Sequence, residues 1–233
     1  MRAALTITLA LTAASALAVD LLGEPADPRQ VEAGRAVAAG GGGQGQQGAC
    51  FSCHGFDGAA QAAAGFPALG GQSAEYLHRQ LARYASGERN NPIMSPIASA
   101  LSEAQRRDVA VYYAAQPVPA AGERPQGDPA LLQHGAILSA SGSAEVGVQA
   151  CQNCHGPAGI GIGPSYPRLA GQPASYLAAQ LHAWRSGERQ GQPPEESMAS
   201  IARRLSDRDI EAVSLYFAAV RTDDRPRMSG VVR

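Results

Sequence analysis

Apolar positions recur at helical spacing in two well-separated parts of the chain. Between Ser73 and Ser86, Leu77 and Leu81 lie four apart, and Tyr76, Gln80 and Tyr84 form a neighbouring stripe, so the spacing predicts a helix. Gly87 is placed to end it. A second helix is predicted to open at Ser102, where Ser102 and Gln105 have the spacing of a capping box. Val109, Tyr112 and Tyr113 form its apolar side, and it fades near Pro117. Val31 to Ala39 predicts a shorter helix. Elsewhere the pattern breaks. Gly40 to Gly48 is a glycine-rich run that reads as a mobile loop, and Gly55 to Gly65 is small and turn-prone. Asn90 to Pro96 is predicted as a loop, because Pro92 and Pro96 flank Met94.

The second half repeats this pattern. Pro67-Ala68-Leu69-Gly70-Gly71-Gln72 returns as Pro167-Arg168-Leu169-Ala170-Gly171-Gln172. Tyr76-Leu77, Gln80-Leu81 and Gly87-Glu88-Arg89 return one hundred positions later. Leu131 to Ser141 matches the short early helix, and Ser206 caps a final helix carrying Ile210, Val213, Tyr216 and Phe217. Residues 117–129 (PVPAAGERPQGDP) read as a linker by composition. The fold class is therefore all-α, with two tandem units: residues 19–116, then 130–221. Residues 222–233 read as a frayed tail.

Each unit carries one cysteine motif. Cys50-Phe51-Ser52-Cys53-His54 recurs as Cys151-Gln152-Asn153-Cys154-His155, at an offset of 101. C-x-x-C-H is the attachment signal for c-type haem. The two thiols add across the two vinyl groups of one porphyrin, and the adjacent histidine is held under the iron as its proximal ligand. The motifs use all 4 cysteines, so none remains for a disulfide. A zinc site needs a second ligand pair at short range, and a redox dithiol expects a βαβ pattern; neither is present.

A sixth iron ligand distinguishes an electron carrier from a sensor or an oxygen-activating enzyme, and the repeat selects it. His78, His134 and His182 have no histidine counterparts in the other half. Met94 and Met198 do correspond, each lying between the Gly-Glu-Arg and Ile-Ala elements. The expected axial pairs are His54 with Met94 and His155 with Met198; the competing reading is that each methionine fills a gap. The loop before Met198 is longer and carries Glu195 and Glu196, which reads as a looser or differently tuned site. Pro67 and Pro167 are placed to present a carbonyl to the other ring nitrogen of each histidine, or simply to shape the loop. Arg89 and Arg189 read either as partners of haem propionates or as solvated surface arginines. Tyr76 and Tyr176 read as core residues touching the haem, and Trp184 as packing.

The first residues give the address. Met1-Arg2, the apolar run Ala3 to Leu17 and Ala16-Leu17-Ala18 read as a secretory signal peptide over residues 1–18, cut near Ala18, with an uncleaved anchor as the other reading. No other apolar run approaches the roughly 18 residues of a membrane span. Export to the periplasm fits c-type haem attachment. The formal charge is −1, and all 19 basic residues are arginines. Without a basic stripe, nothing points to nucleic acid.

The order C-x-x-C-H, P-x-L-x-G-Q, Y-L-x-x-Q-L, G-E-R, Met and a final Tyr-bearing helix resembles class I cytochrome c. Its duplication resembles the dihaem cytochrome c4 family. That resemblance implies two covalently bound haem c groups, three main helices around each, and a pseudo-twofold arrangement with the propionates close together. It also implies a periplasmic electron carrier, not an enzyme, often loosely held at the inner membrane. A quinol-cytochrome c reductase or a dehydrogenase would be its donor and a terminal oxidase its acceptor. Two further readings are a dedicated haem subunit of a dehydrogenase oxidising a sulfur compound or an alcohol, and a sensor or enzyme with one labile methionine.

Overall fold

A computed structural model describes residues 26–43, 45–60, 62–119, 127–191 and 195–221. The expected signal peptide with its expected cleavage position at Ala18, most of the expected linker and the expected tail lie outside these residues. Among the described residues there are helices and isolated bridges but no extended strand.

The first half contains α1 (Pro28–Gly40), the short turn α2 (Phe51–His54), α3 (Ala74–Ser86), α4 (Met94–Ala100) and α5 (Glu103–Ala115). The second contains α6 (Pro129–Ser141), α7 (Gln152–His155), α8 (Ala174–Ser186), α9 (Glu196–Ala202) and α10 (Asp207–Ala219). In each half the first helix crosses the last, and the third packs against both of its successors.

The helix ends follow from their residues. Asp27 and Asp128 cap α1 and α6, each followed by proline at the first helical position. These caps start both helices a few residues earlier than the apolar spacing indicates. Ser73 caps α3 through Tyr76 N–H, and Gly87 ends it in the left-handed region. Ser102 and Ser206 both form complete capping boxes.

Two loops differ from expectation. Asn90 to Pro96 is not all loop, because α4 begins at Met94. Pro96 falls in the first turn, where a missing N–H breaks no intrahelical bond. The glycine-rich run is packed rather than free: residues 41–43 and 45–48 form two single 3₁₀ turns, and Gly41 is buried. Gln105 Nε2 donates to the Gly42 carbonyl at 3.4 Å, so the capping-box residue of α5 also holds this turn.

Where the first and last helices cross, a glycine lets the backbones meet. A Cβ at Gly34 would strike the Asp108 carbonyl and Tyr112 Cβ of α5. A Cβ at Gly135 would strike the Ala212 carbonyl and Tyr216 Cβ of α10. The first core then closes with Val37, Tyr76, Leu77, Val109, Tyr112 and Tyr113. Its counterpart uses Leu138, Leu177, Val213 and Phe217, with Val148, Leu205 and Ile210 alongside.

The halves meet through repeated residues that reach across. Gln72 donates to the Arg168 carbonyl at 3.1 Å and accepts from Arg168 N–H at 2.9 Å. Gln172 does the same to Ala68, at 2.7 Å and 3.0 Å. Arg89 and Arg189 pair as an antiparallel backbone bridge. This is the geometry of a pseudo-twofold axis, with each contact made twice in opposite senses.

Candidate haem sites

Each cysteine motif is wound into one helical turn. His54 N–H donates to the Cys50 carbonyl and His155 N–H to the Cys151 carbonyl, both at 2.9 Å. Three residues apart on a helical turn, the two sulfurs of a pair share one side. The turn then breaks at Gly55 or Gly156, each with φ near +75°, where a side chain would be strained. Around the first motif, Tyr112 and Tyr113 donate to the carbonyls of Phe56 and Gly55 at 2.7 Å and 3.1 Å. The last helix therefore braces the attachment turn.

The histidines are buried, at 6% exposure each. His54 Nδ1 lies 2.9 Å from the Pro67 carbonyl, and His155 Nδ1 lies 2.8 Å from the Pro167 carbonyl. A carbonyl only accepts, so Nδ1 carries the proton and Nε2 keeps its lone pair for a metal. Burial pushes both imidazoles below their ordinary pKa, against the pull of the carbonyl, and so keeps them neutral.

The thiols do not suit the competing chemistries. Burial pushes Cys50 and Cys151 up to about 11, whereas a dithiol oxidoreductase depends on a lowered thiol pKa. Among the described residues, no group of three or more His, Cys, Asp and Glu side chains is arranged to hold a metal ion. His78, His134 and His182 are engaged with Glu103, Asp209 and Arg185.

One continuous cavity of about 420 Å³ runs through both halves. It is lined by both cysteine pairs, both motif histidines, Met94 and Met198. Met94 opens α4, its N–H held at 2.9 Å by the Asn91 side chain. Met198 lies in the first turn of α9, its N–H donating to the Glu195 carbonyl at 3.0 Å.

Arg89 and Arg189 are not solvated surface arginines; their exposures are 5% and 4%. Arg89 donates to Gln80 and Gln180, both at 2.7 Å, and to Tyr176 Oη at 3.2 Å. Arg189 donates to Gln180 at 2.7 Å and Gln80 at 3.0 Å. The guanidinium of Arg89 stacks over Tyr84, and that of Arg189 over Trp184 at 3.9 Å. Tyr76 is buried in the first core and lines the cavity; Tyr176 packs against the second core. Gln72, Gln172, Gln80 and Gln180 are the site residues that sequence reasoning missed. Their recurrence in the repeat was the available signal, since residues repeated on a shared twofold contact themselves.

The cavity fits a porphyrin in chemistry as well as extent. Its wall is mainly apolar, and three residues that line it, Trp184, Arg189 and Ser214, carry buried polar atoms, Nε1, Nε and Oγ, with no protein partner. Acidic groups on a largely apolar ring are the chemistry that such donors lack.

The cytochrome c family model matches twice, at residues 31–114 and 139–220. The chain belongs to the cytochrome c family. It is 48% identical to a thiosulfate dehydrogenase electron acceptor of Stutzerimonas stutzeri (strain A1501) over 74% of this chain and 79% of that protein. The structure of reduced recombinant cytochrome c4 from Pseudomonas stutzeri superposes with TM-score 0.71 at 33% identity, covering 82% of this chain and 98% of that one. A thiosulfate dehydrogenase of Marichromatium purpuratum superposes with TM-score 0.74 at 38% identity over 82% of this chain, which spans only 40% of that longer chain. The protein is thus a dihaem electron-transfer cytochrome of the cytochrome c4 kind. One haem c is attached covalently at Cys50 and Cys53, and another at Cys151 and Cys154.

Proposed function

We propose that this cytochrome accepts single electrons from a periplasmic dehydrogenase of a sulfur compound, thiosulfate foremost, and passes them toward a terminal oxidase. The observation that carries the donor is the likeness to a thiosulfate dehydrogenase electron acceptor over most of both chains. Export through the signal peptide at residues 1–18 places it in the periplasm; among the described residues no helix is long and apolar enough to cross a membrane. It works as a carrier, with no catalytic residue of its own.

When bound, each haem iron supplies one reversible electron. The chain's residues fix the terms of that exchange. Pro67 and Pro167 hold the rings of His54 and His155, leaving Nε2 for the iron. Met94 and Met198, which line the same cavity, would supply the sixth ligands, and a thioether in that role would raise the potential relative to a second imidazole. Arg189 and Trp184 would offer N–H donors to the ring's acidic groups, and Arg89 holds the two halves together. A histidine and a methionine on each iron would leave no open position for a substrate.

A purified thiosulfate dehydrogenase with thiosulfate should reduce both haems in stopped-flow mixing, saturably and faster than quinol-cytochrome c reductase does. The opposite ranking would make the protein a general respiratory carrier, the reading that its likeness to cytochrome c4 supports.

A further inference from the structure

The two methionines are supported in different ways. Met94 is held from within its own half: Asn91 Oδ1 accepts from the N–H groups of Ile93 and Met94, at 3.0 Å and 2.9 Å. Met198 hangs from Glu195, whose carbonyl accepts its N–H. The side chain of Glu195 leaves its own half. Its carboxylate accepts from Gln80 Nε2 at 2.9 Å, from Arg79 Nε at 3.4 Å and from Arg83 Nη1, all on α3 of the first half. Arg189 Nη2 lies 3.8 Å away.

The Glu195 side chain is 6% exposed. A buried carboxylate is tolerated only where charge and hydrogen bonds compensate it, and here the compensation comes largely from the other half. The longer loop is therefore not loose at its ligand end; it is fastened to α3. Among the described residues, no hydrogen bond or ion pair ties the shorter loop before Met94 to the second half; it closes on Asn91.

The structure assigns Glu195 the role of a positioning residue: it sets the sixth ligand of the second haem from the first half of the chain. The sixth ligand of the second iron then depends on contact between the halves, whereas that of the first is supported from within its own half. This rests on Met198 being the sixth ligand.

The test uses the dihaem protein and the substitutions E195A, E195Q, R83Q and M198A, each checked for two haems per chain. The readouts are the ferric methionine-sulfur band, carbon monoxide binding after reduction, and the two potentials. M198A should remove half of the band. E195A and R83Q should each shift one potential, weaken up to half of the band and open one haem to carbon monoxide. The double variant R83Q/E195A should go no further than E195A. E195Q, which keeps an acceptor for Gln80 and the arginines, should shift less. R83Q is the decisive variant, because Arg83 belongs to the half whose own haem should stay unchanged. Two unchanged potentials and a full band in both E195A and R83Q would overturn the role. If E195A does not assemble with two haems, the same result in E195Q and R83Q overturns it. A full band in M198A would instead overturn the ligand assignment, so the two failures are distinct.

Discussion

At the residue scale, the chemistry rests on small sets of atoms whose roles separate by substitution. Met94→Ala should halve the ferric methionine-sulfur band and open one haem to carbon monoxide while leaving haem content at two per chain. The first site gains its ligand support locally, so the second potential should be unaffected. Trp184→Phe keeps the ring that Arg189 stacks on but removes the unpartnered Nε1 donor. It should shift the second potential and leave the first, as read by spectroelectrochemical titration. Most of these residues were legible in the sequence, because C-x-x-C-H and a methionine repeated at matching positions are patterns written in residue type. The proline carbonyls were legible from spacing. The buried state of Arg89 and Arg189 was not. A hydropathy pattern assigns arginine to solvent, whereas burial is made tolerable by a glutamine and an aromatic ring of each arginine's own half together with the glutamine of the facing half.

At the element scale, helix ends and helix crossings carry the stability. Gly135→Ala drives a methyl into the Ala212 carbonyl and Tyr216. It should lower the unfolding free energy by about 1–3 kcal/mol, the usual cost of overpacking, measurable as a lower urea midpoint at unchanged slope. Ser206→Ala removes a complete capping box from α10 and should cost about 0.5–2 kcal/mol. The long helices could be read from the chain because apolar spacing and caps agree. The crossing glycines were not singled out, since a glycine inside a helix looks merely unfavourable until the partner backbone is in place. The α4 helix was misread for a related reason. Prolines near Met94 suggested a loop, but a first-turn proline is compatible with a helix.

At the scale of the whole molecule, one surface pattern is used twice. Each half contributes Gln72 or Gln172, Gln80 or Gln180, and Arg89 or Arg189 to a pseudo-twofold contact. Arg89→Leu removes one of the two arginine donors to each of Gln80 and Gln180 and the donor to Tyr176 Oη, and should destabilise the protein by about 1.5–3 kcal/mol, the usual worth of a hydrogen bond to a charged group. Small-angle scattering should then show a more extended particle, with electron exchange between the haems slowed. The repeat made the duplication plain, but the way the halves meet was not in the periodicity. It depends on side chains aimed outward from two units that a linear pattern treats separately. The longer loop before Met198 illustrates this: its extra length suggested looseness, whereas Glu195 spends it reaching α3.

The proposed carrier role requires two haem irons, each closed by a histidine and a methionine. The most direct measurement is the optical spectrum of the oxidised mature protein, with haem quantified against protein. Two haems per chain and a red-end methionine-sulfur band of full two-site strength are the predicted result. A band of half strength, or none, with two haems present would contradict it, because at least one iron would then be open or otherwise ligated.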